Sequence, residues 1–138
     1  MKKYKLGYTT GVFDMFHIGH LNILKRAKEQ CDFLIVGVST DELVNSYKNK
    51  TPVIPFEDRK RIVESICYVD KVIPQENRNK LEAFDRISFD VMFVGDDWKN
   101  SEFFNQLEKE LQSRGVDLIY LSHTDGISST MLREIINK

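Results

Sequence analysis

Short apolar runs alternate with stretches of helical period along this chain. The runs are rich in β-branched and aromatic residues and predict strands over Lys5–Thr9, Phe33–Ser39, Lys71–Ile73, Val91–Val94 and Leu118–Leu121. After the first run, apolar residues recur at three-residue steps, at Ile18, Leu21, Leu24 and Ala27, with polar residues between them. Helices are predicted over Ile18–Gln30, Phe56–Cys67, Arg78–Ile87, Ser101–Arg114 and Ser128–Asn137. Strands that alternate with helices pair in parallel, and right-handed crossovers place the helices on both faces. The expected fold is therefore α/β: a doubly wound, Rossmann-like parallel sheet. One long irregular stretch, Asn45 to Pro55, is rich in Lys, Asn and Pro and predicts a mobile loop.

Open parallel sheets bind ligands beyond the carboxyl ends of their strands. Four polar segments fall there: Gly11–His20, Ser39–Lys50, Gly95–Trp98 and His123–Thr130. The first, Gly11-Val12-Phe13-Asp14-Met15-Phe16-His17-Ile18-Gly19-His20, is the most informative. Two imidazoles three residues apart at a helix start share one face and lie beside unpaired backbone N–H groups. Such a place suits a polyphosphate, because the helix end favours an anion and the imidazoles add donors. Two surface histidines and a glycine turn is the plainer reading. It does not account for two of the chain's three histidines falling here.

Other residues carry a weaker signal. Gly11 and Gly19 lack a Cβ and let phosphates approach, although a simple turn explains each as well. Asp14 is placed to orient an imidazole, cap the helix or touch a metal shell, with capping the expected role. Alternate lysines such as Lys48 and Lys50 usually mean only a solvated loop. Arg59 is either a bidentate phosphate ligand or a surface ion pair with Glu57, Asp58 or Glu64. Ser128, Ser129 and Thr130 suit a helix start, yet capping explains one hydroxyl and not three beside Gly126.

In chain order, the histidine motif is followed by Ser39-Thr40-Asp41-Glu42, Lys48 and Lys50, Arg59, and Tyr68-Val69-Asp70-Lys71-Val72. Gly95-Asp96-Asp97-Trp98 and Thr124-Asp125-Gly126-Ile127-Ser128-Ser129-Thr130 complete the set. Together they span nearly the whole chain, which resembles the cytidylyltransferase branch of the HxGH nucleotidyltransferase superfamily, and within it the members that use glycerol 3-phosphate.

The resemblance implies transfer of a phosphorylated alcohol to the α-phosphate of CTP with release of pyrophosphate. The attacking oxygen is already an anion, so the protein has to supply in-line positioning and neutralise charge. It implies that His17, His20 and Lys50 stabilise charge on the phosphates during transfer. Gly11, Val12, Phe13, Asp96, His123, Thr124, Gly126, Ile127, Ser128, Ser129 and Thr130 are the implied nucleotide contacts. The adjacent carboxylates at Asp96 and Asp97 suit ribose hydroxyls, the cytosine amino group or magnesium, and Asp96 is the better candidate. Lys48, Arg59 and Lys80 are the implied acceptor contacts. Magnesium accompanying CTP and a homodimer are carried over as well, and no metal ligand is assigned.

Four departures cluster mainly on the acceptor side. His123 stands where close relatives carry Arg, so weaker or pH-sensitive nucleotide binding is expected. Val12 replaces a Thr of the glycerol-phosphate members, and Cys67 replaces an Arg. Arg78-Asn79-Lys80-Leu81 falls where those members have a Trp and an acceptor-binding Lys, which makes Lys80 a near match.

A chain of 138 residues with 41% hydrophobic and 30% charged residues is expected to be one ordinary globular domain. A net charge of −1 gives no reason to expect nucleic acid or an anionic membrane as partner. The longest apolar run, Phe33 to Val38, is far short of a membrane span, and no signal sequence follows Met1-Lys2-Lys3, so a cytoplasmic location is expected. Cys31 and Cys67 have no metal spacing and are expected to be reduced thiols. Three rivals remain: an adenylyltransferase of the same superfamily, a cytidylyltransferase for phosphocholine or phosphoethanolamine, and a non-catalytic nucleotide-binding module. A class I aminoacyl-tRNA synthetase is set aside, since the chain is short and has no Lys-Met-Ser-Lys-Ser loop.

Overall fold

The computed structural model describes residues 3–95 and 101–122. Its strands are β1 Tyr4–Gly11, β2 Cys31–Ser39, β3 Lys71–Gln75, β4 Val91–Gly95 and β5 Asp117–Leu121. Its helices are α1 Ile18–Lys28, α2 Asp41–Lys48, α3 Phe56–Glu64, α4 Lys80–Ile87 and α5 Glu102–Ser113. All strand pairs are parallel, in the order β3-β2-β1-β4-β5.

Alternation within the strands decides which helices cover which face. Leu34, Val36 and Val38 of β2 join Val91 and Phe93 of β4 in one core, closed by Leu24 and Ala27 of α1 and Val63 of α3. The intervening Ile35, Met92 and Val94 join Tyr8 in a second core, closed by Phe104, Leu107 and Leu111 of α5 with Leu81 and Phe84 of α4 against it. A sheet buried on both faces needs near-continuous apolar strands, which is why the runs stood out in the sequence. Packing at the centre is close. A Cβ on Gly7 of β1 would lie 2.7 Å from the Cys31 Sγ and 2.8 Å from a ring carbon of Phe93.

The chain runs from β1 outward through β2 to β3, then crosses back to β4 on the other side of β1. The strand order therefore reverses between β1 and β4, and the crevice at their carboxyl ends is the switch point where such sheets bind ligands.

Several boundaries differ from expectation for identifiable reasons. Residues 45–48, expected in a loop, form the end of α2. Thr40 caps that helix by accepting from the Leu43 N–H at 3.2 Å, and Asn49 closes it in the left-handed region at φ 53°. β3 continues through Pro74 to Gln75. It is an edge strand paired only with β2, and positions facing away from the ladder tolerate a residue without an N–H. α3 ends at Glu64 rather than Cys67, and Asp70 beyond it accepts from the Leu34 N–H at 2.8 Å. α4 starts two residues late, because the Asn79 side chain accepts from the N–H groups of Leu81 and Glu82. The helix expected at Ser128–Asn137 lies outside the described residues.

Candidate active site

The two motif histidines meet at the start of α1. His17 is the residue before the helix, and its Nδ1 accepts from the Gly19 N–H at 3.0 Å. The Nδ1 of His20 accepts from the His17 N–H at 3.2 Å, and the two rings stack with centroids 3.9 Å apart. Imidazoles therefore serve where Ser and Glu serve in a capping box. A backbone N–H can only donate, so both Nδ1 atoms are bare and each ring carries its proton on Nε2. The cap thus fixes the tautomer and leaves each ring an Nε2–H for an anion. Burial, with a smaller contribution from His17, pushes the His20 pKa down to about 4 against the opposing pull of Asp14. Burial also lowers that of His17. The pair is neutral at pH 7.

The loop before this helix start is under backbone strain. Phe13 at φ 55° and Met15 at φ 50° both occupy the left-handed region, which bulky side chains avoid. Two sets of contacts hold them there. The Phe13 ring is buried and packs on Phe16 and His20 at centroid distances of 6.3 and 5.4 Å. Gly11 makes room for that ring, since a Cβ there would lie 2.9 Å from it. The buried Asp14 carboxylate accepts from the N–H groups of Val53 and Ile54, both at 2.8 Å. Asp14 therefore does not cap α1, as the sequence suggested. It anchors the segment between α2 and α3 to the motif loop.

Arg59 is neither a phosphate ligand nor a surface ion pair. Its side chain has no exposed area. Nε donates to the Ile54 carbonyl, and one terminal nitrogen donates to the carbonyls of Val12 and Ser39, all at 2.8 Å. The other terminal nitrogen donates to the Asp41 carboxylate at 2.6 Å. This guanidinium joins the motif loop, the end of β2, the start of α2 and the 51–55 segment. A buried charge persists only when paired and hydrogen-bonded in this way.

Beside the switch point lies a cleft of about 210 Å³. Its floor is the strand ends Thr10, Gly11, Val12, Ser39, Gln75 and Gly95, and its walls include Tyr47 and Lys48 of α2, Arg78, Lys80 of α4, and Phe103 of α5. Its described lining holds three cations and no carboxylate. Lys80 is 8% exposed, and burial together with the Arg78 charge lowers its pKa to about 8. An anion seated here would relieve that repulsion.

The predicted residues thus divide. Gly11, Val12, Lys48 and Lys80 line the cleft. His17 and His20 meet at the far end of the short loop that begins at Val12, outside the cleft walls. Phe13 supports His20 with a buried ring. Lys50 is exposed outside the cleft walls, three residues before the Val53 that Asp14 grips. Asp96, His123, Thr124, Gly126, Ile127, Ser128, Ser129 and Thr130 lie outside the described residues. Among the described residues, no group of three or more His, Cys, Asp or Glu gathers to hold a metal. Tyr47, Gln75 and Phe103 are cleft residues that no sequence motif marks, and Arg78, marked there only as a departure, lines the cleft as well. Cys31 is buried and Cys67 exposed, both as free thiols.

Two outcomes follow from this geometry. In an NMR titration the His20 ring should stay neutral through pH 6 and protonate near pH 4. Its unfolded reference is about 6.5, so the contribution of neutral His20 to stability is complete above that value and is lost as pH falls toward 4. A His20 midpoint near 6.5 would contradict the cap. Arg59→Ala should lower unfolding free energy by about 3 kcal/mol, read by urea denaturation, because it strands three carbonyls and Asp41. Arg59→Lys should recover only part of it, since one ammonium cannot span four acceptors.

With this geometry in hand, comparisons place the chain among known proteins. A cytidylyltransferase-like family model matches residues 8–135. The glycerol-3-phosphate cytidylyltransferase of Bacillus spizizenii is 42% identical over 127 residues, spanning 91% of this chain and 92% of that protein. The FAD synthase of Thermococcus kodakarensis is 41% identical over 110 residues, spanning 78% of this chain and 71% of that protein. Among solved structures, the lipopolysaccharide core biosynthesis protein of Thermoplasma volcanium superposes with a TM-score of 0.76 at 26% identity, over 88% of this chain and 99% of that one. The sheet order, the histidine-capped helix at the switch point and the near-complete family match make this chain a member of the cytidylyltransferase-like family.

Proposed function

We propose that the chain joins CTP and glycerol 3-phosphate to give CDP-glycerol and pyrophosphate. The observation that carries this reading is the cleft at the switch point, lined among its described residues by Lys48, Arg78 and Lys80, and joined through Gly11 and Val12 to two neutral histidines at a helix start. The 42% identity to a glycerol-3-phosphate cytidylyltransferase supports the choice of acceptor.

A phosphate oxygen of the acceptor attacks the α-phosphorus of CTP. The new P–O bond forms as the bond to the bridging oxygen of pyrophosphate breaks, and no proton has to move. The histidines' Nε2–H groups donate to the triphosphate without adding charge, where donors aimed at developing negative charge lower the barrier. Lys48 and Lys80 hold the acceptor phosphate in the cleft. Lys50 serves the CTP phosphates from the segment tied to Asp14. A magnesium ion accompanying CTP would supply further charge neutralisation at the phosphates. The described residues suit such a nucleotide-borne ion better than a protein cage, because both Asp14 oxygens accept backbone N–H groups. On this reading the protein works in the cytoplasm as a homodimer, and its product supplies polymers such as teichoic acid or capsule, or phospholipid head groups. The similarity to an FAD synthase favours a second reading in which ATP replaces CTP.

Mass spectrometry of a reaction containing CTP, magnesium and sn-glycerol 3-phosphate should show CDP-glycerol, and an ATP reaction should give far less nucleotidyl product. CTP binding without pyrophosphate release across several phospho-alcohols would overturn the enzymatic reading. His17→Ala should slow turnover by about 10²–10³ if its Nε2–H meets the transition state as an oxyanion donor does. A loss under about threefold would place His17 outside the chemistry.

A further inference from the structure

Arg78 stands at the mouth of the cleft in an unusual setting. Its guanidinium carbon lies 4.7 Å from the ring centre of Tyr47 and 5.6 Å from that of Phe103. These two rings come from different helices, α2 and α5, and both are large exposed aromatics, at 37% and 48%. Paired rings open to solvent beside a cationic cleft are what a quaternary ammonium group seeks, since ring faces attract cations. Here the protein's own cation has taken that place. Lys80, buried at the start of α4, and Lys48 add positive charge to the same cleft. Glu110 does not offset this within the cleft, because it lines a neighbouring groove between α4 and α5.

We propose that Arg78 sets the acceptor class: by occupying the Tyr47–Phe103 pair it excludes ammonium head groups, and the cleft takes a phosphorylated polyol. The inference rests on the phospho-alcohol reading above and adds to it the residue that chooses among such alcohols. Two effects act together. A guanidinium stacked on two rings is held in place, so an incoming ammonium meets a fixed like charge rather than a side chain that swings away. The rings that would have compensated that ammonium are already engaged. A neutral polyol meets neither obstacle, and its hydroxyls accept from the guanidinium edge.

Calorimetric titration of sn-glycerol 3-phosphate and of phosphocholine, each with a non-hydrolysable CTP analogue present, tests this directly. The wild-type protein should bind glycerol 3-phosphate at least about tenfold more tightly. Arg78→Gln, checked for an unchanged melting temperature, should bring the two affinities together by gaining phosphocholine. Adding Tyr47→Ala to that variant should remove the gain, which a merely structural role for Arg78 does not explain. An unchanged affinity ratio in Arg78→Gln, or equal affinities in the wild type, would overturn the proposal. If CDP-glycerol still forms, only the role of Arg78 falls. If the wild type binds neither acceptor and forms no CDP-alcohol, the cleft is not an acceptor site and both readings fall.

Discussion

A single buried guanidinium holds the site's parts together. Arg59 donates to carbonyls on the motif loop, at the end of β2 and before α3, and closes on the Asp41 carboxylate at the start of α2. Each partner belongs to a segment with a task. The motif loop carries the histidines, α2 ends in Lys48, and the 51–55 segment follows Lys50. Desolvating an arginine is tolerable only where its donors are answered, and four of them are answered by groups that themselves need donors. The interaction is therefore mutual. The loops satisfy the charge, and the charge fixes where the loops stand.

Asp14 extends the same arrangement with opposite sign. Its carboxylate takes the N–H groups of Val53 and Ile54, so the motif loop is pinned by a buried acid as well as a buried base. The positive φ angles at Phe13 and Met15 persist because these anchors and the packing of the Phe13 ring over-determine them. At the end of that loop the histidines use their Nδ1 atoms to close α1, which leaves them neutral, oriented and protonated on Nε2. The helix start thus presents neutral donors, and the described lining of the cleft presents cations.

Much of this was legible in the sequence because it follows from burial on two faces. Strands covered on both sides must be continuously apolar, and Leu34–Val38 and Val91–Val94 announce themselves for that reason. The histidine pair was legible because its spacing places two rings on one helix start. The features without a local signal depend on partners far away in the chain. α2 was hidden by the Lys, Asn and Tyr that follow Val44, although Ser-Thr-Asp-Glu before Leu43 is a helix-start signal. Arg59 reads as a surface residue among Glu57, Asp58 and Glu64, since nothing local reveals that backbone carbonyls await it. Asp14 has the local pattern of a cap, whereas its partners are two N–H groups some forty residues away. Arg78 carries no local signal of its role, because its ring partners lie on two helices, α2 and α5.

The Arg59 network also has a place in the order of synthesis. Every group that it binds lies between residues 12 and 54, so the network is chemically complete once the chain has been made as far as Arg59 itself. The other wall of the cleft has to wait for β4 at residues 91–95, and β1 lacks its second neighbour until then. Domains emerge amino-terminal end first during translation. For the time taken to make about thirty-five further residues, β1 is an unpaired edge beside an assembled, charged loop cluster. Lys3 just before that strand and Lys5 within it place like charges where another nascent chain would otherwise add.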